Sequence, residues 1–505
     1  MTGNRDTVVL DGRTLTPAGV AAVARQGASV ELHSEARERN AAAAGALAEL
    51  LRRGEQVYGV TTGVGGLRSR EVQPADRPGQ QLRLLRSHAC GGGRLLAPEL
   101  VRAAMVVRAN QLGAGGAGVS DELLEALVAA LNAGFVPAAR ELGSLGTGDL
   151  TVLAEIGLAL LGEGRAWRLD AEGDSLTGAD SALADAGLRP PELGPRDGIA
   201  FMSSSAATIG HAALLATDAE RLLAAAFRVA ALSFIAAGAD PVVLDERVQA
   251  ARPHAGQVEA AARLRELVGS EPTATRDAGA PVHDPYPFRA LAQVEGTALD
   301  ALTALEGVLA VELNAATENA LLDAAAPAAL PSANFHTGAL ALALDGFRVA
   351  LAQSRSLGAA RASALLDRGL MGLPAALSAN PGPSSGAMML EYTAHAAAAD
   401  VRVRASPAAA QTTTVGGGVE SHASFAPFAA RLTHEALESA EVATATELVL
   451  AVRALRMRGL RPCGTQTGEL FADAAARLDA DTSDRALGDD IEAARRLLFD
   501  GDRAG

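Results

Sequence analysis

Apolar residues recur at helical spacing along most of this chain, and the alternating patterns typical of strands are scarce. Ser120 is a typical N-cap for the apolar-periodic stretch 121–132, and Gly134 follows that stretch as a terminator. Further long or strongly apolar helices are predicted over residues 150–161, 296–313 and 435–457. The pattern therefore predicts a mainly α fold.

Segments rich in glycine, proline and serine interrupt this helical pattern, at residues 113–119, 189–195, 270–286 and 381–385. The break near 190–196 is the best candidate for a boundary. We therefore predict an N-terminal region, 1–195, followed by a helical bundle and C-terminal region, 196–505.

Charge and apolar content narrow the class of protein. The formal net charge of −15 argues against a nucleic-acid or anionic-membrane partner. The uncharged stretch 369–390 contains proline, serine, asparagine and glycine, which excludes a membrane-spanning helix there. The N-terminus lacks the apolar core of a signal peptide. Cys90 and Cys463 are too few for a disulfide framework or a metal cluster, so we expect a soluble cytoplasmic protein without a metal.

The chain contains no lysine, so all 44 basic residues are arginine. A lysine Schiff base therefore cannot form. This excludes ordinary pyridoxal-phosphate catalysis and lysine-based covalent catalysis.

Glycine-rich segments carry most of the candidate chemistry. Tyr58-Gly-Val-Thr-Thr-Gly-Val-Gly65 lacks the lysine and the spacing of a phosphate-binding loop, and in isolation it indicates only a tight turn. Gly143-Ser-Leu-Gly-Thr-Gly-Asp-Leu150 directly precedes a predicted apolar helix. Ser87-His88-Ala-Cys-Gly-Gly-Gly93 contains a histidine that, taken alone, is more often structural than functional.

These segments resemble, in order, those of the histidine and phenylalanine ammonia-lyases. Six further blocks extend the match, so that it covers most of the chain: Arg196–Ser205, Arg252–Gln257, Val282–Arg289, Glu312–Asn319, Asn334–His336 and Val419–His422. The resemblance implies an ammonia-lyase-like fold with an N-terminal region and a long central helical bundle. It also implies a homotetramer whose active sites draw residues from several subunits.

The resemblance also assigns roles to single residues. It makes Tyr58 the base that removes the substrate β-proton, and it places Tyr286 beside the family's prosthetic group. Arg289 matches the arginine that binds the substrate carboxylate, a task that suits the two-pronged guanidinium group.

Of the remaining residues implied to bind substrate, some match the family's residue at that position and others differ from it. His88 and Glu420 match residues that contact the substrate ring in the histidine branch, and Phe335 is expected against the active site. Ser203 stands where the family has asparagine, and His283 stands where it has glutamine. Asn319 belongs to the asparagine-rich block.

The main departure lies in the loop that forms the family's prosthetic group. There an Ala-Ser-Gly triplet cyclises and dehydrates to an electrophilic methylidene-imidazolone (MIO). Here the loop is one residue shorter, and Gly146-Thr147-Gly148 is the candidate triplet, with a threonine that could dehydrate to an ethylidene. Because of the shortened loop and Ser203, we expect an ordinary peptide at Gly146, Thr147 and Gly148, and no cofactor.

Three functions follow from this combination. The expected one is an MIO-free enzyme that acts on a small carboxylate by elimination, addition or cyclisation. In it Arg289 holds the carboxylate, Tyr58 moves a proton, and the N-terminus of helix 150–161 stabilises negative charge. The alternative is a true histidine or aromatic amino acid ammonia-lyase with a prosthetic group made from 146–148. The third is an inactive scaffold.

Overall fold

The structure is a computed structural model that describes residues 7–170, 173–269, 282–462 and 465–500. Most of these residues are helical. The helices are α1 (Pro17–Arg25), α2 (Ser34–Arg52), α3 (Gln80–His88), α4 (Pro98–Ala114), α5 (Asp121–Asn132), α6 (Leu150–Leu160), α7 (Ala179–Asp185), α8 (Asp197–Met202), α9 (Ala206–Ala237), α10 (Glu246–Ala250), α11 (Ala255–Val268), α12 (Tyr286–Arg289), α13 (Leu291–Glu312), α14 (Gly338–Leu366), α15 (Arg368–Met371), α16 (Met388–Arg404), α17 (Ala426–Arg458), α18 (Thr465–Arg477) and α19 (Gly488–Phe499). Single 3-10 turns lie at Gly65–Leu67, Pro74–Asp76, Pro241–Leu244, Ala375–Leu377 and Gly416–Gly418.

The strands are short and form small separate sheets. They are β1 (Thr7–Leu10), β2 (Ser29–Leu32), β3 (Gly92–Leu95), β4 (Val136–Pro137), β5 (Arg140–Leu142), β6 (Arg165–Arg168), β7 (Ser175–Gly178), β8 (Leu321–Asp323) and β9 (Ala328–Leu330). β1 and β2 pair in parallel, whereas β3–β5, β4–β6–β7 and β8–β9 are antiparallel. The prediction of a mainly α fold is confirmed.

Helix starts show where periodicity predicts well and where it does not. The side chain of Ser120 caps α5 by accepting a hydrogen bond from the Leu123 N–H at 3.2 Å, as predicted. The helix predicted from residue 435 begins at Ala426 instead. Pro427 is its second residue, and a proline is tolerated in the first turn because the N–H it lacks has no partner there.

The backbone forms two compact units. The first contains residues 1–217, 306–344 and 407–430, and the second contains 218–305, 345–406 and 431–505. This division differs from the predicted one at residue 195, because chain on both sides of that point is tied together within the first unit. The carboxylate of Asp197 accepts hydrogen bonds from the N–H groups of Ser120 at 2.9 Å and Gly194 at 2.8 Å.

Helix α4 is the buried centre of the first unit, and all its residues from Val101 to Gly113 are buried. Arg108 on this helix forms an ion pair with Glu318 at 2.8 Å, and both side chains are 0% exposed. Asn110, two residues further along, accepts a hydrogen bond from the Gly12 N–H at 2.8 Å. Polar side chains inside this helix therefore connect distant parts of the sequence.

The second unit has a buried network of balanced charge. Glu295 accepts from Arg355 at 3.2 Å, and Glu447 accepts from Nε of Arg361 at 2.7 Å. The neighbouring glutamates raise the pKa of the Arg361 guanidinium against the opposing effect of its burial. Pairing of this kind is what makes buried charges tolerable.

One helical stretch, residues 197–237, has the length and apolar composition of a membrane span. In the structure 89% of its apolar window is buried inside the protein. The core helix of a globular protein passes the same test.

The predicted start of α13 at Gly296 is too late by five residues, because the helix runs through that glycine from Leu291. A Cβ added at Gly296 would lie 2.5 Å from the backbone nitrogen of Gln257. The glycine is therefore a point where α11 and α13 approach backbone to backbone, and not a helix boundary.

We expect Gly296→Ala to lower the free energy of unfolding by about 1–3 kcal/mol, because backbone has to move to admit the methyl group. Gly307→Ala is the matched control on the same helix, since a Cβ there meets nothing within 4 Å. That substitution should stabilise the protein by about 1 kcal/mol through helix propensity. Urea unfolding of both variants measures the difference. Equal effects would contradict the close backbone approach of α11 and α13 at Gly296.

Candidate active site

The loop 143–149 enters α6 through a tight turn that glycine makes possible. Gly146 and Gly148 adopt φ angles of +92° and +100°, which residues with a Cβ atom rarely adopt. A Cβ at Gly146 would overlap the Ser424 hydroxyl and lie 2.8 Å from the Phe425 nitrogen. Thr147 lies between the two glycines and is half-buried.

The segment 420–425 is bonded directly to this loop. The Ser424 hydroxyl donates to the carbonyl oxygen of Gly146 at 3.0 Å. One residue further, the Phe425 N–H donates to the carbonyl oxygen of Leu145 at 2.9 Å. Two successive carbonyl groups of the loop are therefore fixed by two successive residues of the same segment.

The turn between α8 and α9 lies on the other side of the loop. The Asp149 N–H donates to the carbonyl oxygen of Ser204 at 2.7 Å. The Asp149 carboxylate accepts from the Thr208 N–H at 2.7 Å and from its hydroxyl at 2.9 Å, which caps the first turn of α9. Burial raises the pKa of Asp149 to about 6, against the lowering effect of these hydrogen bonds.

The segment 335–337 connects the previous two. Ser205 donates its hydroxyl hydrogen to the Phe335 carbonyl at 2.7 Å. The Thr337 hydroxyl lies 3.2 Å from that of Ser424. Between them, Nε2 of His336 lies 3.0 Å from Nδ1 of His422. The structure thus brings the loop 146–148 together with the segments that contain Ser203, Phe335 and Glu420.

Tyr58 lies on a loop that contacts the same region. Its hydroxyl oxygen accepts a hydrogen bond from the Gly65 N–H at 2.8 Å, which orients the phenol. The side-chain amide of Gln81 donates to the Gly59 carbonyl at 3.0 Å and so holds the loop against α3. A Cβ on Gly66 would be 3.6 Å from the Gly416 carbonyl, next to the Glu420 turn.

His88 is the last residue of α3 and is half-buried. Its Nδ1 lies 2.8 Å from the carbonyl oxygen of Leu84, which can only accept a hydrogen bond. The proton of a neutral His88 therefore sits on Nδ1, and Nε2 is left as an acceptor.

Asn319, Glu420 and Ser203 are placed mainly by the backbone around them. Oδ1 of Asn319 accepts from the Ser332 N–H at 3.2 Å. Glu420 closes a turn with Val415 through backbone hydrogen bonds of 2.9 and 3.3 Å. Ser203 is a buried residue at the C-terminus of α8.

The predicted residues Tyr286, Arg289 and His283 belong to the second unit. The Arg289 guanidinium lies over the Tyr286 ring, 5.5 Å from its centroid. Tyr286 and His283 are exposed, and Arg289 is half-buried. This segment is anchored by the buried Phe288, whose ring packs edge-on against Phe234 with the centroids 6.4 Å apart.

Sequence reasoning missed Ser424, Thr337 and Arg108, which hold the site together. A single serine or threonine in a block carries no distinctive signal, and an arginine inside an apolar helix gives no indication of its partner. Only the three-dimensional contacts identify them. Among the described residues, no group of three or more histidine, cysteine, aspartate or glutamate side chains could hold a metal ion.

Comparison with known proteins adds to this geometry. The family model for aromatic amino acid lyases matches residues 15–476. The chain is 38% identical to the histidine ammonia-lyase of Symbiobacterium thermophilum, over 97% of this chain and 96% of that relative. This protein belongs to the aromatic amino acid lyase family. It is a carbon–nitrogen lyase.

Solved structures of the family are also similar. The ergothioneine-degrading enzyme ergothionase of Treponema denticola aligns with a TM-score of 0.93 and 27% identity, over 99% of this chain and 100% of that one. The histidine ammonia-lyase of Trypanosoma cruzi aligns with a TM-score of 0.89 and 29% identity, over 98% of this chain and 94% of that one.

The expectation that this lyase has no cofactor is wrong, because it conflicts with its relationship to histidine ammonia-lyases, whose family carries the MIO group. The expectation gave too much weight to loop length.

The triplet of this lyase fits the group chemically. Cyclisation needs the Gly148 nitrogen, the Gly146 carbonyl and a hydroxyl that can leave from the residue between them, and Thr147 has one. The glycines on either side adopt backbone angles that a tight turn requires.

The buried Asp149 should make the stability of this lyase depend on pH. Its folded-state pKa of about 6 lies above the ordinary value of 3.8, so its contribution to stability is full below pH 4 and is lost as the pH rises through 6. Relative to Asp149→Asn, which does not titrate, the wild-type free energy of unfolding should fall by about 3 kcal/mol between pH 4 and pH 7. Urea unfolding across that range tests this, and parallel pH profiles would contradict it.

Proposed function

We propose that this lyase eliminates an amine from an α-amino acid with an imidazole-like side chain, histidine or a close derivative. In this reaction the Cβ–H and Cα–N bonds break, and a Cα=Cβ double bond forms. One observation carries the proposal: the segments that contain Ser203, Phe335 and Glu420 surround Gly146, Thr147 and Gly148. The same chain has the His88 motif of the histidine branch of the family.

Residues 146–148 would hold the prosthetic group. When formed, it supplies an electrophile that binds the substrate and turns its amino group into a better leaving group. Ser424, Phe425 and Ser204 support the assignment, since they fix the backbone of the loop on both sides. A rigid loop is what an electrophile needs if it is to meet one substrate atom reproducibly.

The protein's own residues would do the rest. Tyr58 is the candidate base for the β-proton, with its hydroxyl oriented by the Gly65 N–H. Arg289 is the candidate carboxylate ligand, and its guanidinium lies over the Tyr286 ring. His88, with Nε2 available as an acceptor, suits a ring N–H, and Glu420 suits the same polar ring.

His88 and Glu420 favour a substrate with a polar ring over one with a phenyl ring. A phenyl ring offers no hydrogen-bond partner to His88 or Glu420, so a ring with polar atoms should bind better. The histidine ammonia-lyase relatives support histidine itself. The ergothionase structure, with a TM-score of 0.93, supports ergothioneine as a second candidate substrate.

We also propose that the enzyme is cytoplasmic and acts as a homotetramer. Exposed apolar side chains support assembly, among them Leu342, Val349 and Val403, which are 67%, 42% and 72% exposed in the single chain. Sedimentation of the purified enzyme tests the assembly, and an active monomer would contradict it.

The function is tested by incubating the purified enzyme separately with L-histidine, L-phenylalanine and ergothioneine. We expect an unsaturated acid to appear from one of the two imidazole compounds, followed by its ultraviolet absorbance, and at least about 10-fold less turnover of phenylalanine. The intact mass should be lower than that of the sequence by two water molecules. Turnover of phenylalanine alone would contradict the substrate class, and full mass would contradict the prosthetic group.

Tyr58→Phe removes only the hydroxyl group, so we expect kcat to fall about 100-fold or more while the protein stays folded. The chain offers a matched control in Tyr392→Phe, because Tyr392 is 63% exposed on α16 and belongs to no site motif. That variant should keep the wild-type rate. A Tyr58→Phe enzyme as fast as the control would exclude Tyr58 as the base.

A further inference from the structure

The carbonyl oxygen of Gly146 has an unusually defined environment for a loop carbonyl. The Ser424 hydroxyl donates to it at 3.0 Å, and Ser424 is only 2% exposed. A buried hydroxyl aimed at one carbonyl oxygen is the arrangement by which enzymes stabilise negative charge that develops on that oxygen.

We propose that Ser424 is the hydrogen-bond donor that promotes cyclisation of the Gly146-Thr147-Gly148 loop. This inference rests on the proposed prosthetic group, since it concerns how this chain forms it. It assigns a role to a residue of the segment that follows Glu420, outside the reacting triplet.

The step balances without an oxidant or a co-reactant. The Gly148 nitrogen forms a bond to the Gly146 carbonyl carbon, and the carbonyl electron pair moves to the oxygen that Ser424 contacts. That oxygen takes up the proton lost by the Gly148 nitrogen and leaves as water together with the proton of the Thr147 nitrogen, and a C=N double bond forms between the Thr147 nitrogen and the former Gly146 carbonyl carbon. Thr147 loses its Cα hydrogen and its hydroxyl as a second water, which forms the exocyclic double bond.

The surroundings of Ser424 fix the direction in which its hydrogen points. Its oxygen is 3.3 Å from the Ala426 N–H, which can only donate, and 3.2 Å from the Thr337 hydroxyl. When Thr337 also donates to it, the Ser424 hydrogen is directed at Gly146. A chain of hydrogen bonds of this kind polarises each of its members.

The same contact explains why glycine occupies position 146. A Cβ there would overlap the Ser424 hydroxyl, so the close approach of donor and carbonyl is possible only without a side chain. Glycine at position 146 therefore allows the Gly146 carbonyl to lie against Ser424.

Ser424→Ala tests the inference through mass and not through turnover. The chain is expressed in a short pulse and purified at intervals, and intact-mass spectrometry gives the fraction that has lost two waters. Digestion after arginine yields a peptide of residues 141–165, whose mass places the loss at this loop. We expect the loss to be about 100-fold slower in Ser424→Ala than in the wild type.

Ser205→Ala is the matched control, because Ser205 is equally buried and donates to a different carbonyl, that of Phe335. It should slow the loss of water by less than about 10-fold, because it only positions the segment that contains Thr337. Thr337→Val removes the hydroxyl next to Ser424 and should slow the loss by less than about 10-fold, as expected for an indirect contribution. Thermal unfolding checks that each variant is folded.

The outcomes separate the two proposals. A wild type short by two waters and a folded Ser424→Ala variant that matures as fast would overturn the role of Ser424 and leave the proposed function intact. A wild type of full mass would overturn both. Slow maturation in Ser424→Ala and in Ser205→Ala alike would show a general effect of loop packing and would also overturn the specific role.

Discussion

The buried ion pair of Arg108 and Glu318 is the constraint on which the site depends. Arg108 also donates from Nε to the Phe201 carbonyl at 3.0 Å and from Nη2 to the Ala200 carbonyl, so one guanidinium satisfies the C-terminal carbonyls of α8. Loss of either charged partner would leave the other buried and uncompensated, at a cost of about 3–5 kcal/mol. The end of α8 is therefore fixed relative to α4, and with it the turn of three serines that follows.

Single hydrogen bonds from that turn position the neighbouring loops. Ser204 accepts from the Asp149 N–H, and Ser205 donates to the Phe335 carbonyl, so two loops distant in sequence are positioned by neighbouring residues. The 420–425 segment then closes the arrangement through Ser424. Directional bonds position the loops, whereas the helices supply the rigid frame.

The sequence predicted this fold well where a local signal existed. The Ser120 cap predicted α5 correctly, and the apolar run after Asp149 predicted α6 to within one residue. The start of α13 was misjudged because a glycine that serves a helix crossing has the same local pattern as a glycine that ends a helix. The blocks that surround the loop 146–148 were identified by resemblance. The hydrogen bonds between them could not be, since a contact such as Ser424 to Gly146 joins residues that are 278 positions apart in the sequence.

The loop before α6 is shorter than expected, but it keeps the atoms that form the prosthetic group. Deleting a residue from a loop changes where the loop lies, and only a change within the reacting atoms alters what it can become. Here Gly146, Thr147 and Gly148 keep a carbonyl, a hydroxyl and a nitrogen in the required order. Glycine at position 146 allows the φ of +92° that the shorter loop adopts there. A shortened loop should therefore be judged by the reacting atoms and the backbone angles that it keeps, because its length alone suggests a damaged site.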